Sequence, residues 1–184
     1  MPARPTLVVV SGPPATGKTT LAHSLAREIG CPAIIRDEIK QGLVMNAAAH
    51  KADRADPLDV PAMHAFFDTL GVLLRAGATV VAEAAYQDRL WRPGLEPLLE
   101  IADLRIIRCT CPTATVIARV TERAGSDRHR AAHGDRQLLD DIATGAYRPE
   151  AFADISLDAP VLLVDTSDGY RPGVAGIGAF VRAR

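Results

Sequence analysis

Residues 12–19 constrain the fold of this chain more than any other segment. They read Gly-Pro-Pro-Ala-Thr-Gly-Lys-Thr and satisfy the pattern G-x-x-x-x-G-K-[ST] in full. The segment follows the short apolar run 7–10 and precedes a pattern of leucine and isoleucine at four-residue spacing that Gly30 ends. A strand, a glycine loop and a helix in this order let main-chain N–H groups and the helix N-terminus converge on phosphate oxygens. The sequence therefore predicts a phosphate-binding loop.

The side chains of this loop have separate expected roles. Lys18, on a solvent-facing loop, is expected to bridge the β and γ phosphates of ATP, and Thr19 is expected to bind Mg²⁺. The alternative is a glycine turn with an incidental lysine, and the order of strand, loop and helix disfavours it. The predicted nucleotide contacts of the loop are Gly12, Pro13, Pro14, Ala15, Thr16, Gly17, Lys18, Thr19 and Thr20.

Strands and helices alternate along the rest of the chain. Apolar runs predict four further strands at 32–35, 79–82, 104–109 and 159–164. Helices are predicted at 37–46, 63–77, 88–101, 112–123, 135–144 and 174–181, with a loop at 51–61. Right-handed crossovers then give a three-layer α/β fold, in which helices cover both faces of a five-stranded parallel sheet. The length of 184 residues fits a single domain, 1–184.

Composition limits the possible partners. A formal charge of -1 provides no basic field, and an aromatic share of 4% leaves few side chains to stack on bases. Nucleic acid is therefore disfavoured as a partner, and a small molecule is expected. No apolar run approaches the length of a signal-peptide core or a membrane span, and the three cysteines form no CxxC pair. We expect a cytoplasmic protein without a membrane partner.

Charged residues follow two predicted strands, at the edge where ligands bind in parallel sheets. Glu83 is expected to orient a magnesium-bound water or to contact the acceptor, and a buried, paired carboxylate is the alternative. Asp37 either acts on the acceptor or caps the next helix, although Lys40 replaces the Glu or Gln of a capping box. Arg36 and Lys40 either hold an anionic acceptor or are solvated charges.

The motif GPPATGKTT, with RDEIK after the second predicted strand and a late arginine-rich connector, resembles the small P-loop kinases that carry an adenylate-kinase-like lid. Chloramphenicol phosphotransferase, gluconate kinase and the zeta toxins belong to this wider group. The resemblance implies Mg²⁺-dependent transfer of the γ-phosphoryl group of ATP to a hydroxyl of a metabolite or antibiotic. Asp37 looks like the acceptor-hydroxyl base of the antibiotic kinases.

The same resemblance suggests a lid at 124–135 and an acceptor region at 36–64. Arg119, Arg123 and Arg128 are the candidates to stabilise the transferring phosphoryl group on lid closure, and surface ion pairs are the alternative. Asp165 and Thr166 resemble the segment that borders the adenine in lid-bearing kinases; a simple turn is the alternative.

The predicted acceptor contacts are Arg36, Asp37, Lys40, Glu83, Tyr86 and Trp91. Two other functions fit a phosphate loop. One is an NTP-dependent switch or ATPase that acts through a protein partner, and the other is a kinase acting on nucleotides or polynucleotide ends.

Overall fold

The computed structural model describes residues 4–47, 56–124, 135–147, 152 and 155–183. Its five strands form one parallel sheet in the order β2-β3-β1-β4-β5. The strands are β1 Thr6–Ser11, β2 Ala33–Ile35, β3 Val80–Glu83, β4 Asp103–Thr110 and β5 Val161–Asp165. The helices are α1 Lys18–Ile29, α2 Arg36–Met45, α3 Asp59–Arg75, α4 Asp88–Leu95, a 3₁₀ helix at Glu96–Glu100, α5 Thr113–Ala124, α6 Asp135–Ala143 and α7 Val174–Arg182.

The central strand β1 is buried on both sides. Leu7 and Val9 pack into a core that α3 and α4 cover, whereas Val8 and Val10 pack into a core that α1 and α7 cover. This arrangement explains why the strand is a continuous apolar run, because neither face of the sheet at β1 meets water. The predicted three-layer fold with a five-stranded parallel sheet is confirmed.

Several element boundaries differ from the prediction. Helix α3 begins at Asp59, inside the predicted loop 51–61. Helix α4 ends at Leu95 and continues as the 3₁₀ helix, so the predicted helix 88–101 is two elements. Strand β3 ends at Glu83, which therefore lies within the strand. Most of the predicted lid 124–135, including Arg128, lies outside the described residues.

Helix α2 begins at Arg36, and the extended residue Ile35 occupies its N-cap position without a side-chain hydrogen bond. The interpretation of Asp37 as a helix cap is therefore wrong. Asp37 lies in the first turn, where the partial positive charge of the helix N-terminus favours a carboxylate.

Among the described residues, no helix combines the length and apolar character needed to cross a membrane.

Tyr86 and Trp91 lie in an aromatic cluster with Phe66 and Phe67. The rings of Tyr86 and Trp91 meet edge to face at a centroid distance of 5.0 Å, and Trp91 makes a similar contact with Phe66 at 5.8 Å. Tyr86 is fully buried and Trp91 is almost so, which means that neither side chain lines an open surface. The buried hydroxyl of Tyr86 has no hydrogen-bond partner among the described residues.

Tyr86→Phe should raise the free energy of unfolding by about 1 kcal/mol, because the variant no longer buries an unpaired hydroxyl. Urea denaturation of the wild type and the variant measures the difference. A loss of stability would contradict this expectation and would show that the hydroxyl has a partner. A higher KM for the acceptor in the same variant would support the predicted acceptor contact.

Candidate active site

Backbone geometry at the end of β1 shapes the predicted phosphate loop. Gly12 has φ +134°, and a Cβ atom there would lie 2.3 Å from the carbonyl oxygen of Cys109 on β4. Gly17 has φ +77° and directly precedes α1, whose N-terminus has no side-chain cap. Ala15 also has a positive φ, 62°. The loop therefore leaves β1 through a position that only glycine tolerates and ends on the uncapped N-terminus of a helix.

Lys18 is hydrogen-bonded to the main chain of its own loop. Lys18 Nζ and Thr16 Oγ1 each donate a hydrogen bond of 2.8 Å to the carbonyl oxygen of Pro13. Lys18 is 7% exposed, so its side chain is buried within the loop. The ammonium group lies inside the loop, where a phosphate oxygen would be a stronger, charged hydrogen-bond partner than a carbonyl.

Strand pairing brings a carboxylate to this loop. In the parallel register Val10 lies opposite Glu83, and Glu83 Oε2 accepts a hydrogen bond of 2.8 Å from Thr19 Oγ1. Glu83 is 4% exposed. A hydroxyl and a carboxylate oxygen beside a phosphate loop are the ligand types that Mg²⁺ prefers, so these two residues fit a magnesium site.

The pKa of Glu83 is raised mainly by burial, while Lys18 and the hydrogen bond from Thr19 act against that shift. Asp37 and Glu38 raise the pKa of Glu83 further by charge repulsion. The strand register gives the reason, since Ile35 lies opposite Glu83 and α2 begins at the next residue. The sequence-predicted residues Thr19, Glu83 and Asp37 come together at one edge of the sheet.

The cations beside Asp37 are already paired. Arg36 Nη1 donates to Asp37 Oδ1 at 3.0 Å, and Arg36 Nη2 donates to Asp59 Oδ1. Lys40 Nζ contacts Asp56 Oδ2 at 2.6 Å and Asp59 Oδ1 at 2.9 Å. Lys40 is 4% exposed, so the alternative of a solvated charge is wrong for this residue.

The sequence interpretation missed Asp56 and Asp59, because both were assigned to a loop. Asp56 accepts a hydrogen bond of 2.9 Å from the main-chain N–H of Leu58, and Asp59 opens α3. Acidic residues just before an apolar helical pattern are a known signal of a helix start. That signal was present here in the segment Asp-Pro-Leu-Asp-Val-Pro.

Arg119 of α5 joins the phosphate loop to the segment after β5. Its Nη1 donates to the carbonyl oxygen of Ala15 at 3.4 Å, and its Nη2 donates to those of Thr166 at 2.5 Å and Ser167 at 3.2 Å. The guanidinium group thus contacts main-chain oxygens on both sides of the predicted nucleotide site. The side chain of Arg123 lies outside the described residues.

The segment after β5 is locally ordered by its own side chains. Asp165 Oδ1 accepts hydrogen bonds from the N–H of Ser167 at 2.8 Å and from its hydroxyl at 2.6 Å, and these bonds lower the pKa of Asp165. The hydroxyl of Thr166 is buried and donates to the carbonyl oxygen of Thr110 at 3.1 Å. The alternative of a strand-to-helix turn describes the local geometry of Asp165, while the predicted contact with adenine stays a prediction.

The sheet order, the phosphate loop and the Thr19–Glu83 pair define a P-loop nucleotide-binding protein. The model of a protein family described as an AAA domain matches residues 7–146. The chain belongs to this family of P-loop kinases. A comparison with curated protein sequences found no match.

Solved structures share the fold at low sequence identity. A proposed kinase from Chloroflexus aurantiacus J-10-fl is 24% identical with a TM-score of 0.72, and the alignment covers 97% of this chain and 94% of that one. A gluconokinase from Sinorhizobium meliloti 1021 is 15% identical with a TM-score of 0.57, covering 97% and 89%. A chain of the Pnkp1/Rnl/Hen1 RNA repair complex is 17% identical with a TM-score of 0.57, covering 85% and 52%.

Arg119→Ala should raise the KM for ATP roughly 10-fold with a smaller change in kcat, because hydrogen bonds from a charged group that order both sides of the site are lost. Arg105→Ala is the matched control, since Arg105 also donates to main-chain oxygens but lies near the start of β4. A lower kcat at unchanged KM would instead support the catalytic role predicted from the sequence.

Glu83→Gln should change how stability depends on pH in the absence of metal and nucleotide. The folded-state pKa of Glu83 is raised, so its stabilising contribution is present below the unfolded-state pKa of about 4.3 and is lost as pH rises through the folded-state value. The variant should therefore become progressively more stable than the wild type above about pH 4. Urea denaturation at several pH values measures this difference. A difference in the free energy of unfolding that does not change with pH would contradict the attribution of this pH dependence to Glu83. The same trend in the exposed control Glu100→Gln would contradict it too.

Proposed function

We propose that this protein is an ATP-dependent kinase that transfers the γ-phosphoryl group to a hydroxyl of a small molecule. One observation carries the proposal: a complete phosphate loop whose Thr19 is hydrogen-bonded to Glu83, with Asp37 in the helix turn that directly follows the strand paired with Glu83.

The loop residues supply the phosphate contacts. Lys18 would exchange the carbonyl oxygen of Pro13 for the β and γ phosphates, and the N–H groups at the start of α1 would hold the other oxygens. Thr19 and Glu83 would hold Mg²⁺, directly or through water. A bound Mg²⁺ neutralises phosphate charge and aligns the β and γ phosphates.

Asp37 would act as the base for the acceptor hydroxyl. Its position in the first turn of α2 supports this role, because that turn follows Ile35, which lies opposite Glu83 in the sheet. Arg36 contacts one oxygen of the carboxylate and so restrains its orientation. In a loose transition state the proton leaves late, so Asp37 would speed the step without being indispensable. Arg123 and Arg128 stay predicted contributors from the lid.

A kinase acting on polynucleotide ends is the second candidate. The shared fold with a chain of the RNA repair complex favours it over a switch that acts through a protein partner. The low aromatic share and the formal charge of -1 weigh against it, since single strands are usually bound by stacking and by basic grooves.

Acceptor-dependent release of ADP from MgATP tests the proposed function. A panel of hydroxylated metabolites and antibiotics is assayed beside an oligonucleotide with a free 5′-hydroxyl. Lys18→Ala is the inactive control, because it removes the cation that bridges the phosphates. ADP release that no compound stimulates would favour a switch or ATPase, and stimulation by the oligonucleotide alone would favour the second candidate.

Asp37→Asn should lower kcat by roughly 10²- to 10⁴-fold while the affinity for ATP scarcely changes, because only the proton acceptor is lost. Steady-state kinetics with the acceptor found by the panel measure both quantities. Raising the Mg²⁺ concentration should not restore activity. Recovery at high Mg²⁺ would show that Asp37 acts through the metal, and a wild-type kcat would remove Asp37 from the mechanism.

A further inference from the structure

The cations of the acceptor region are engaged with carboxylates of the protein itself. Asp59 Oδ1 accepts from both Arg36 and Lys40, Asp37 accepts from Arg36, and Asp56 pairs with Lys40. The side chains of Arg36 and Lys40 are 15% and 6% exposed, and that of Asp56 is fully buried. We call these four residues, Arg36, Lys40, Asp56 and Asp59, the α2–α3 ion network.

The network connects two helices rather than pointing its charges at solvent. Arg36 and Lys40 lie one turn apart on α2, while Asp59 opens α3 and Asp56 precedes it. Buried ions are tolerated only with close partners, and removing one partner strands the other charge. An acceptor that needed Arg36 or Lys40 as its own counter-ion would therefore have to break a buried ion pair.

The described part of the acceptor region carries an excess of negative charge. Residues 36–47 and 56–64 contain the cations Arg36 and Lys40 and four carboxylates, namely Asp37, Glu38, Asp56 and Asp59. An anionic acceptor approaching Asp37 would be repelled by these carboxylates, and bound ATP would add to the repulsion.

We infer that the acceptor is an uncharged or cationic hydroxyl compound, and that carboxylated and phosphorylated compounds are poor acceptors. This inference rests on the proposed function. Arg36 and Lys40 hold α2 against α3, because each of these cations is already paired with two carboxylates of the protein. Asp59 is the positioning residue of this selection, since both cations share its carboxylate.

Matched acceptors that differ only in charge test the inference. The wild-type chain with MgATP is given sorbitol, glucamine and gluconate, and then the neutral, amino and acidic members of the wider panel. ADP release should be fastest with neutral or amino compounds, with kcat/KM at least roughly 10-fold above that of the acidic counterpart. Faster release with the acids overturns the inference and leaves the proposed kinase standing. No release with any compound overturns both.

The variant Asp59→Asn provides a second test of the inferred charge selection. It keeps the size of the side chain but leaves the two cations with one carboxylate each, so kcat/KM for acidic relative to neutral acceptors should rise roughly 10-fold. The control variant is Asp103→Asn, which removes an equal charge from an exposed residue. Asp103 lies at the start of β4 and pairs with Arg4. In this control the ratio of kcat/KM for acidic and neutral acceptors should not change. An unchanged ratio in folded Asp59→Asn would overturn the role of Asp59. Circular dichroism checks the fold, and the wild-type panel decides the charge selection if the variant does not fold.

Discussion

The parallel pairing of β1 with its two neighbours is the constraint on which the candidate site depends. The register sets Val10 opposite Glu83 on one side and opposite Ile107 on the other. The chain that leaves β1 must then turn past the carbonyl oxygen of Cys109, and Gly12 provides the space for that turn. Because the strands end together, the loop, the carboxylate of β3 and the first turn of α2 meet at one edge.

The site combines groups whose charges oppose one another. Lys18 and the N-terminus of α1 offer positive charge to phosphates, whereas Glu83, Asp37 and Glu38 form a negative region beside them. These opposite charges can lie close together because the buried cations contact oxygen atoms. Lys18 contacts the carbonyl oxygen of Pro13, and Lys40 contacts a carboxylate oxygen of Asp56. A metal ion with oxygen ligands would relieve the repulsion between Glu83 and its neighbours.

The sequence was sufficient for the parts of the structure that local pattern controls. The phosphate loop, the apolar strands and the helix stop at Gly30 follow from spacing and residue type, so their positions could be predicted. The contacts of Arg119, the burial of Tyr86 and the pairing of Lys40 with Asp56 and Asp59 could not, because each depends on how helices pack after folding. The start of α3 was missed for a different reason, since its acidic first turn was interpreted as loop polarity.

The α2–α3 ion network also limits how this chain can evolve. A single substitution at Arg36, Lys40, Asp56 or Asp59 removes at least one ion pair from a mostly buried set of charges, so such changes face purifying selection one at a time. A concerted replacement by apolar side chains of similar volume avoids that penalty. Among homologues these four positions should therefore change together, as charged sets or as apolar sets, and their covariation would record the packing of α2 on α3.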